Sequence, residues 1–119
     1  MAYIDGFLIP VPAGRLEDYR ASARKMAPLF LEWGALRVVE TVEDDCPAGK
    51  QNDFHTAVLA QEGEKTVFSW TEWPDKETRD AAWKKMEDHM RAHPEDMEMP
   101  FDGKRMIYGG FAPFLDETA

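Results

Sequence analysis

Two stretches of this chain carry apolar residues at helical spacing, and the remaining apolar residues fall in short runs of β-prone character. In the first, Leu16, Tyr19, Ala23, Met26, Ala27, Phe30 and Trp33 recur every three or four positions, on one face of an α-helix that starts near Arg15. Gly14 is placed to cap it, Glu17 sits in the first turn where the helix dipole favours an acid, and Gly34 suits the position just past the end. Pro28 falls inside the pattern and predicts a kink or a break near the final turn. In the second stretch, Arg79, Ala82, Trp83, Met86 and Met90 repeat the spacing, with Asp75 as cap after Pro74 and Pro94 as terminator. Two helices of this kind cover one face of one sheet, so the strands decide the fold.

Residues 2–9 form the first strand, with Tyr3, Ile4, Phe7, Leu8 and Ile9, and the prolines of Pro10-Val11-Pro12 are expected to stop its ladder. Leu36 to Val42 is the second strand, with Leu36, Val38, Glu40 and Val42 on one face. The segment "EDDCPAGKQNDFHTAVLAQEGEK" is long for a loop, and "DFHTAVLA" within it reads as a short helix capped by Asp53. Thr66 to Trp73 is the third strand, and the last spans about 104–114. The order is β-α-β-β-α-β over a single domain, 1–119: an α+β, ferredoxin-like arrangement of four antiparallel strands with both helices on one face.

The uncovered face should then be polar, yet strands one, three and four have apolar residues on both parities. Tyr3 and Phe7 stand against Ile4 and Leu8, Val67 and Trp73 against Phe68 and Trp70, and Ile107 and Phe111 against Met106 and Tyr108. A second apolar face on a small domain calls for a partner, and a second copy about a two-fold axis is the simplest. The expectation is a homodimer joined sheet to sheet.

The stretches "YIDGFLIPVP", "WGALRVVE", "VFSWTEWP" and above all "MPFDGKRMIYGGF" resemble the YbaA-like family of small bacterial proteins. The resemblance runs from about Tyr3 to Asp116. It implies a domain of unknown function within the dimeric α/β-barrel superfamily, and it implies no activity. In such a barrel the last strand must curve, which Gly109-Gly110 can supply as a bulge or bend. The alternative is that the missing side chains leave room beside Tyr108 for a helix, a partner strand or a ligand.

Lys plus Arg number 14 against 23 Asp plus Glu, a formal charge of −9. Phosphate backbones and anionic membrane surfaces are bound through cations, so neither nucleic acid nor a membrane is an expected partner. With no long apolar run, no signal-peptide pattern and a single cysteine, the expected location is the cytoplasm. Cys46 follows Glu43, Asp44 and Asp45, whose charges disfavour its thiolate, so it is not an expected nucleophile.

Asp5 is the carboxylate that invites chemistry, because an acid among apolar strand residues must be paired or perturbed. As a general base it would work with Tyr108 or Arg105 stabilising an enolate-like oxygen; as a structural group it would pair with Lys104 or Arg105 from the neighbouring last strand. Glu40 has the same ambiguity with more exposure expected, and Arg79 and Asp80 either meet polar groups of the sheet or form surface pairs. Tyr3, Asp5, Tyr19, Trp70, Trp83 and Tyr108 are the candidate lining of a pocket between sheet and helices, against the plainer reading of the aromatics as core. His89 and His93 have a metal-ligand spacing but no third ligand, and His55 stands alone, so neither a metal nor a cofactor is expected. The reading is a small-molecule binding protein, and its alternative is a cofactor-independent enzyme of monooxygenase or isomerase type.

Overall fold

The computed structural model describes residues 2–119. Strands β1 (Tyr3–Pro12), β2 (Arg37–Val42), β3 (Glu64–Trp73) and β4 (Ile107–Phe111) form one antiparallel sheet in the order β2-β3-β1-β4. Helices α1 (Leu16–Glu32) and α3 (Lys76–Ala92) connect them, and a short α2 (Phe54–Ala57) lies between β2 and β3. This is the ferredoxin-like order expected from the periodicity. Among the described residues, no helix is long and apolar enough to cross a membrane.

The caps follow local chemistry. Asp53 accepts the backbone N–H of Thr56 at 2.7 Å, and Asp75 that of Thr78 at 2.7 Å. Gly34 takes φ of +113°, the left-handed residue just beyond α1. Two helical expectations need correction. A 3₁₀ turn at Ala13–Arg15 precedes α1, so Arg15 rather than Gly14 holds the cap position. Pro28 does not break α1, which continues to Glu32.

β1 does not stop at its prolines. It pairs with β3 from Tyr3↔Trp73 to Pro12↔Glu64. On its other side β4 ends opposite Leu8, so β1 is an edge from there on, where proline is tolerated. β4 is also shorter than expected, and Lys104 and Arg105 belong to the turn before it.

The side of the sheet under the helices holds two separate buried clusters. Ile9, Val11, Tyr19 and Val67 form one, and Ala35, Trp73 and Ala82 the other. Between them β1 and β3 present Asp5, Ser69 and Thr71, all buried and polar. On the far side Phe68, Ile107 and Phe111 stay exposed, the last at 62%. A groove of about 270 Å³ there is bounded by Phe54, Phe68, Ile107 and Phe111.

The glycine pair forms no bulge. β4 matches β1 residue for residue, with Asp5 opposite Gly110 and Gly6 opposite Gly109. A Cβ on Gly110 would lie 2.3 Å from Tyr3 Oη and 2.7 Å from a ring carbon. Gly110 is glycine because the Tyr3 ring lies over it. On the other side the Phe111 ring covers Gly6 and Gly109, since Cβ atoms there would meet it at 3.5 and 3.7 Å. Close approach of the Tyr3 ring, not a bulge, accounts for Gly110; a Cβ on Gly109 would meet the Phe111 ring only at ordinary contact distance.

Candidate functional site

A cavity of about 410 Å³ opens between the sheet and the helices, in the gap that separates the two buried clusters. Its floor is Asp5, Phe7 and Ile9 of β1, Ser69, Thr71 and Trp73 of β3, and Glu40 of β2. α1 contributes Tyr19, Met26 and Phe30, and α3 contributes Trp83, Met86 and Met90. The irregular segment before β4 adds Met99, Phe101 and Met106, with Phe101 packed 6.0 Å from the Tyr19 ring. Two ion-pair clusters hold that segment. Asp96 at its start joins Lys25 of α1 and His89 of α3, the latter at 2.7 Å. Arg105 at its end grips Glu64 through two nitrogens at 2.6 and 2.8 Å and reaches Asp102 at 3.0 Å.

Asp5 sits in the floor with only 2% of its surface exposed. Trp73 Nε1 and Trp83 Nε1 donate to its Oδ2 at 3.0 and 3.1 Å. Arg79 donates from Nε to Oδ1 at 3.0 Å and to Oδ2 at 3.2 Å, and its Nη2 lies 2.9 Å from Oδ1 as an ion pair. Both oxygens are therefore engaged, Oδ2 by the two indoles and Arg79 and Oδ1 by Arg79, and the charge is cancelled in place. The same pairing, strengthened by Asp80, holds Arg79 further above its usual range. The guanidinium lies 4.9 Å from the Trp83 ring centre and 5.3 Å from that of Tyr3, a distance at which ring faces attract cations.

The expected partner of Asp5 was Lys104 or Arg105, and that pairing does not form. β4 brings Gly110 opposite Asp5, and Arg105 turns away to Glu64 and Asp102. Arg105 is accordingly not among the cavity residues, and the arrangement of Asp5 with Arg105 around one reacting atom is not assembled. Tyr108 does line the cavity, with its ring 6.0 Å from Trp83 and 6.4 Å from Phe7. Tyr19 and Trp83 line it as well. Tyr3 lies on the same side of the sheet but packs over Gly110 and Arg79 instead. Trp70 needs correction: β3 alternates, and with Ser69 and Thr71 in the cavity floor Trp70 faces the far side, where it meets Phe68 and donates to Glu72 at 3.0 Å.

Glu40 is the contrasting acid. β2 is an edge strand, which leaves the residue exposed as a whole, but its carboxyl reaches into the cavity and accepts Tyr19 Oη at 2.7 Å. The surrounding protein lifts this carboxyl above the usual carboxylate range, and the Tyr19 hydrogen bond offsets only part of that. Burial, and then the charge of Glu40, push the Tyr19 phenol well above its own range. Sequence reasoning grouped Glu40 with Val38 and Val42 on one face of β2 but gave it neither a place in the cavity nor a partner.

His89 and His93 stack at 4.6 Å, and His89 is engaged by Asp96. Among the described residues no group of three or more His, Cys, Asp or Glu could hold a metal ion. His55 is not alone: it bonds Glu43 at 2.7 Å, and the other Glu43 oxygen accepts the Thr66 N–H. The cavity methionines escaped sequence reasoning as lining residues. Met86 and Met90 share a helical stripe with Trp83, but Met99 and Met106 lie in irregular chain that carries no periodic signal.

The family described as "Protein of unknown function (DUF1428)" matches residues 2–103. A relative from Escherichia coli strain K12, "Uncharacterized protein YbaA", is 55% identical over 117 residues, covering 98% of this chain and 100% of the relative. A relative of the same name from Shigella flexneri matches with the same identity and coverage. Among solved structures, a dimeric ferredoxin-like protein from an uncultured marine organism superposes with a TM-score of 0.57 at 12% identity, over 92% of this chain and 91% of that one. That likeness is one of fold. With the matched span and the full-length bacterial relatives together, the chain belongs to the DUF1428 family of bacterial YbaA-like proteins.

Proposed function

We propose that this protein binds a small organic molecule in the cavity between sheet and helices, as a homodimer paired through the far side of its sheet. The observation that carries the first half is the cavity itself. At about 410 Å³ it has the size of a ligand pocket, and its walls are mainly apolar with a few polar groups in the floor. Core aromatics alone would pack the gap between the two buried clusters rather than leave it open. The second half rests on the exposed Phe68, Ile107 and Phe111, an apolar patch that a second copy would cover. The solved neighbour of the same fold is described as dimeric.

Native mass spectrometry of the protein purified gently from its own cells tests both halves. The expected result is twice the chain mass plus a small adduct that is released on unfolding. A monomer, with Phe111→Lys behaving identically to wild type, contradicts the dimer. A bare dimer whose cavity residues respond to no small-molecule probe contradicts the binding reading.

A further inference from the structure

Resting on the cavity reading, we propose that the ligand is an apolar organic amine, bound as its cation with the ammonium group against Glu40. The argument is one of charge accounting. Two acids face the cavity, and Asp5 is already cancelled by Arg79. Glu40 has no such partner. Its Oε2 accepts the Tyr19 hydroxyl at 2.7 Å, and among the described residues no hydrogen bond or ion pair engages Oε1. An ionised acid to which the protein itself offers only a neutral hydroxyl lacks a protein charge to offset its partial desolvation, and a ligand cation supplies it.

The walls agree with the floor. Among the described residues, none of those lining the cavity is a lysine, arginine or histidine. A carboxylate or phosphate ligand would therefore meet Glu40 with nothing to hold its charge. Tyr19, Phe30, Phe101 and Trp83 instead line the cavity with aromatic rings, whose quadrupoles attract cations. The net charge of −9 biases diffusional encounter in the same direction. The body of the ligand meets thioethers: five of the seven methionines line the cavity. Such side chains adapt to irregular shapes, so the site selects the amine more strictly than the apolar group attached to it.

Three probes with the same phenyl ring and chain length separate the possibilities: phenylpropylamine, phenylpropanol and hydrocinnamate. Binding is followed by NMR of isotope-labelled methionine methyl groups. The amine is expected to bind at least tenfold more tightly than the alcohol, and the acid more weakly than both. In Glu40→Gln, which keeps an acceptor for Tyr19, the amine's preference over the alcohol should disappear. Equal binding of amine and alcohol by wild-type protein overturns the amine assignment and leaves the cavity reading standing. Preferential binding of the acid overturns it as well. Silence of the methyl groups with all three probes overturns the cavity reading, and this assignment with it. The comparison of wild type with three probes stands even if the variant misfolds.

Discussion

Asp5 and Glu40 are both strand carboxylates facing the same cavity, and they are opposite kinds of acid. Asp5 lies in a central strand beneath α3, where two indoles and a guanidinium fill its lone pairs. Glu40 lies in an edge strand, with one phenol for company and an oxygen left over. The first is the deeper and, from sequence, the more provocative. Depth is also what forces its saturation, because a buried charge left unpaired would cost several kcal/mol. The acid with spare capacity is the one near the rim. Burial alone therefore points to Asp5, and counting donors points to Glu40.

The largest effect should come from emptying the Asp5 site. Asp5→Ala strands Trp73 Nε1, Trp83 Nε1 and Arg79 together, and we expect a loss of about 3–5 kcal/mol. Thermal unfolding should show it as a fall on the order of 10 °C or more. A fall below about 2 °C would mean that the network is ornamental and the comparison fails.

Gly110→Ala comes next. The added Cβ meets Tyr3 Oη at 2.3 Å, so the ring must tilt away and loosen its contact with Arg79. Overpacking of this kind costs about 1–3 kcal/mol, measurable by urea titration. In a Tyr3→Ala background the same substitution should cost much less, which separates the Tyr3 clash from a general strand defect.

Smallest is Glu40→Gln, within about 0.5 kcal/mol at neutral pH and in the stabilising direction. The sign follows from linkage. Glu40 has a raised folded-state pKa, so the folded state binds its proton more tightly. Its contribution is fully present below the ordinary carboxylate value and is lost as pH rises through the raised one. Asp53, Asp75, Asp102, Glu43 and Glu64 are all held below their usual range, mainly by hydrogen bonds to the ionised form. Their contribution is present above the ordinary value and disappears as pH falls through the lowered ones. Wild-type stability should drop in acid, while the advantage of Glu40→Gln over wild type should grow as pH rises from about 4.5. An advantage that shrinks over that window would show that Glu40 is stabilised as an anion in the folded chain.

The features that sequence made legible are those that local chemistry decides. Helical spacing gave both long helices, and Asp53, Asp75 and Gly34 marked ends that the backbone then used. What stayed hidden depends on register. The bounds and register of β4 determine that Gly110 stands opposite Asp5 and that Arg105, five residues earlier, stays in the turn, and no local signal in "DGKRMIYGGF" fixes them. A partial clue to the true partner was present, since Arg79 and Trp83 are four apart and share one turn of helix above the sheet. Trp70 was misplaced for a related reason: aromatic residues on both parities of β3 leave the sides of the sheet indistinguishable until Ser69 and Thr71 are seen facing the helices. The cavity was legible in part, since Asp5, Tyr19, Trp83 and Tyr108 of the expected lining border it, but its extent is a gap between two clusters and leaves no periodic signal.

Side-chain carboxyl NMR tests the contrast between the two acids most directly. With phenylpropylamine added, the Glu40 carboxyl resonance is predicted to move as the amine saturates, while that of Asp5, enclosed by its own donors, stays in place. A shift at Asp5 with Glu40 unmoved would contradict the account, for it would mean that the saturated acid, not the spare one, receives the ligand.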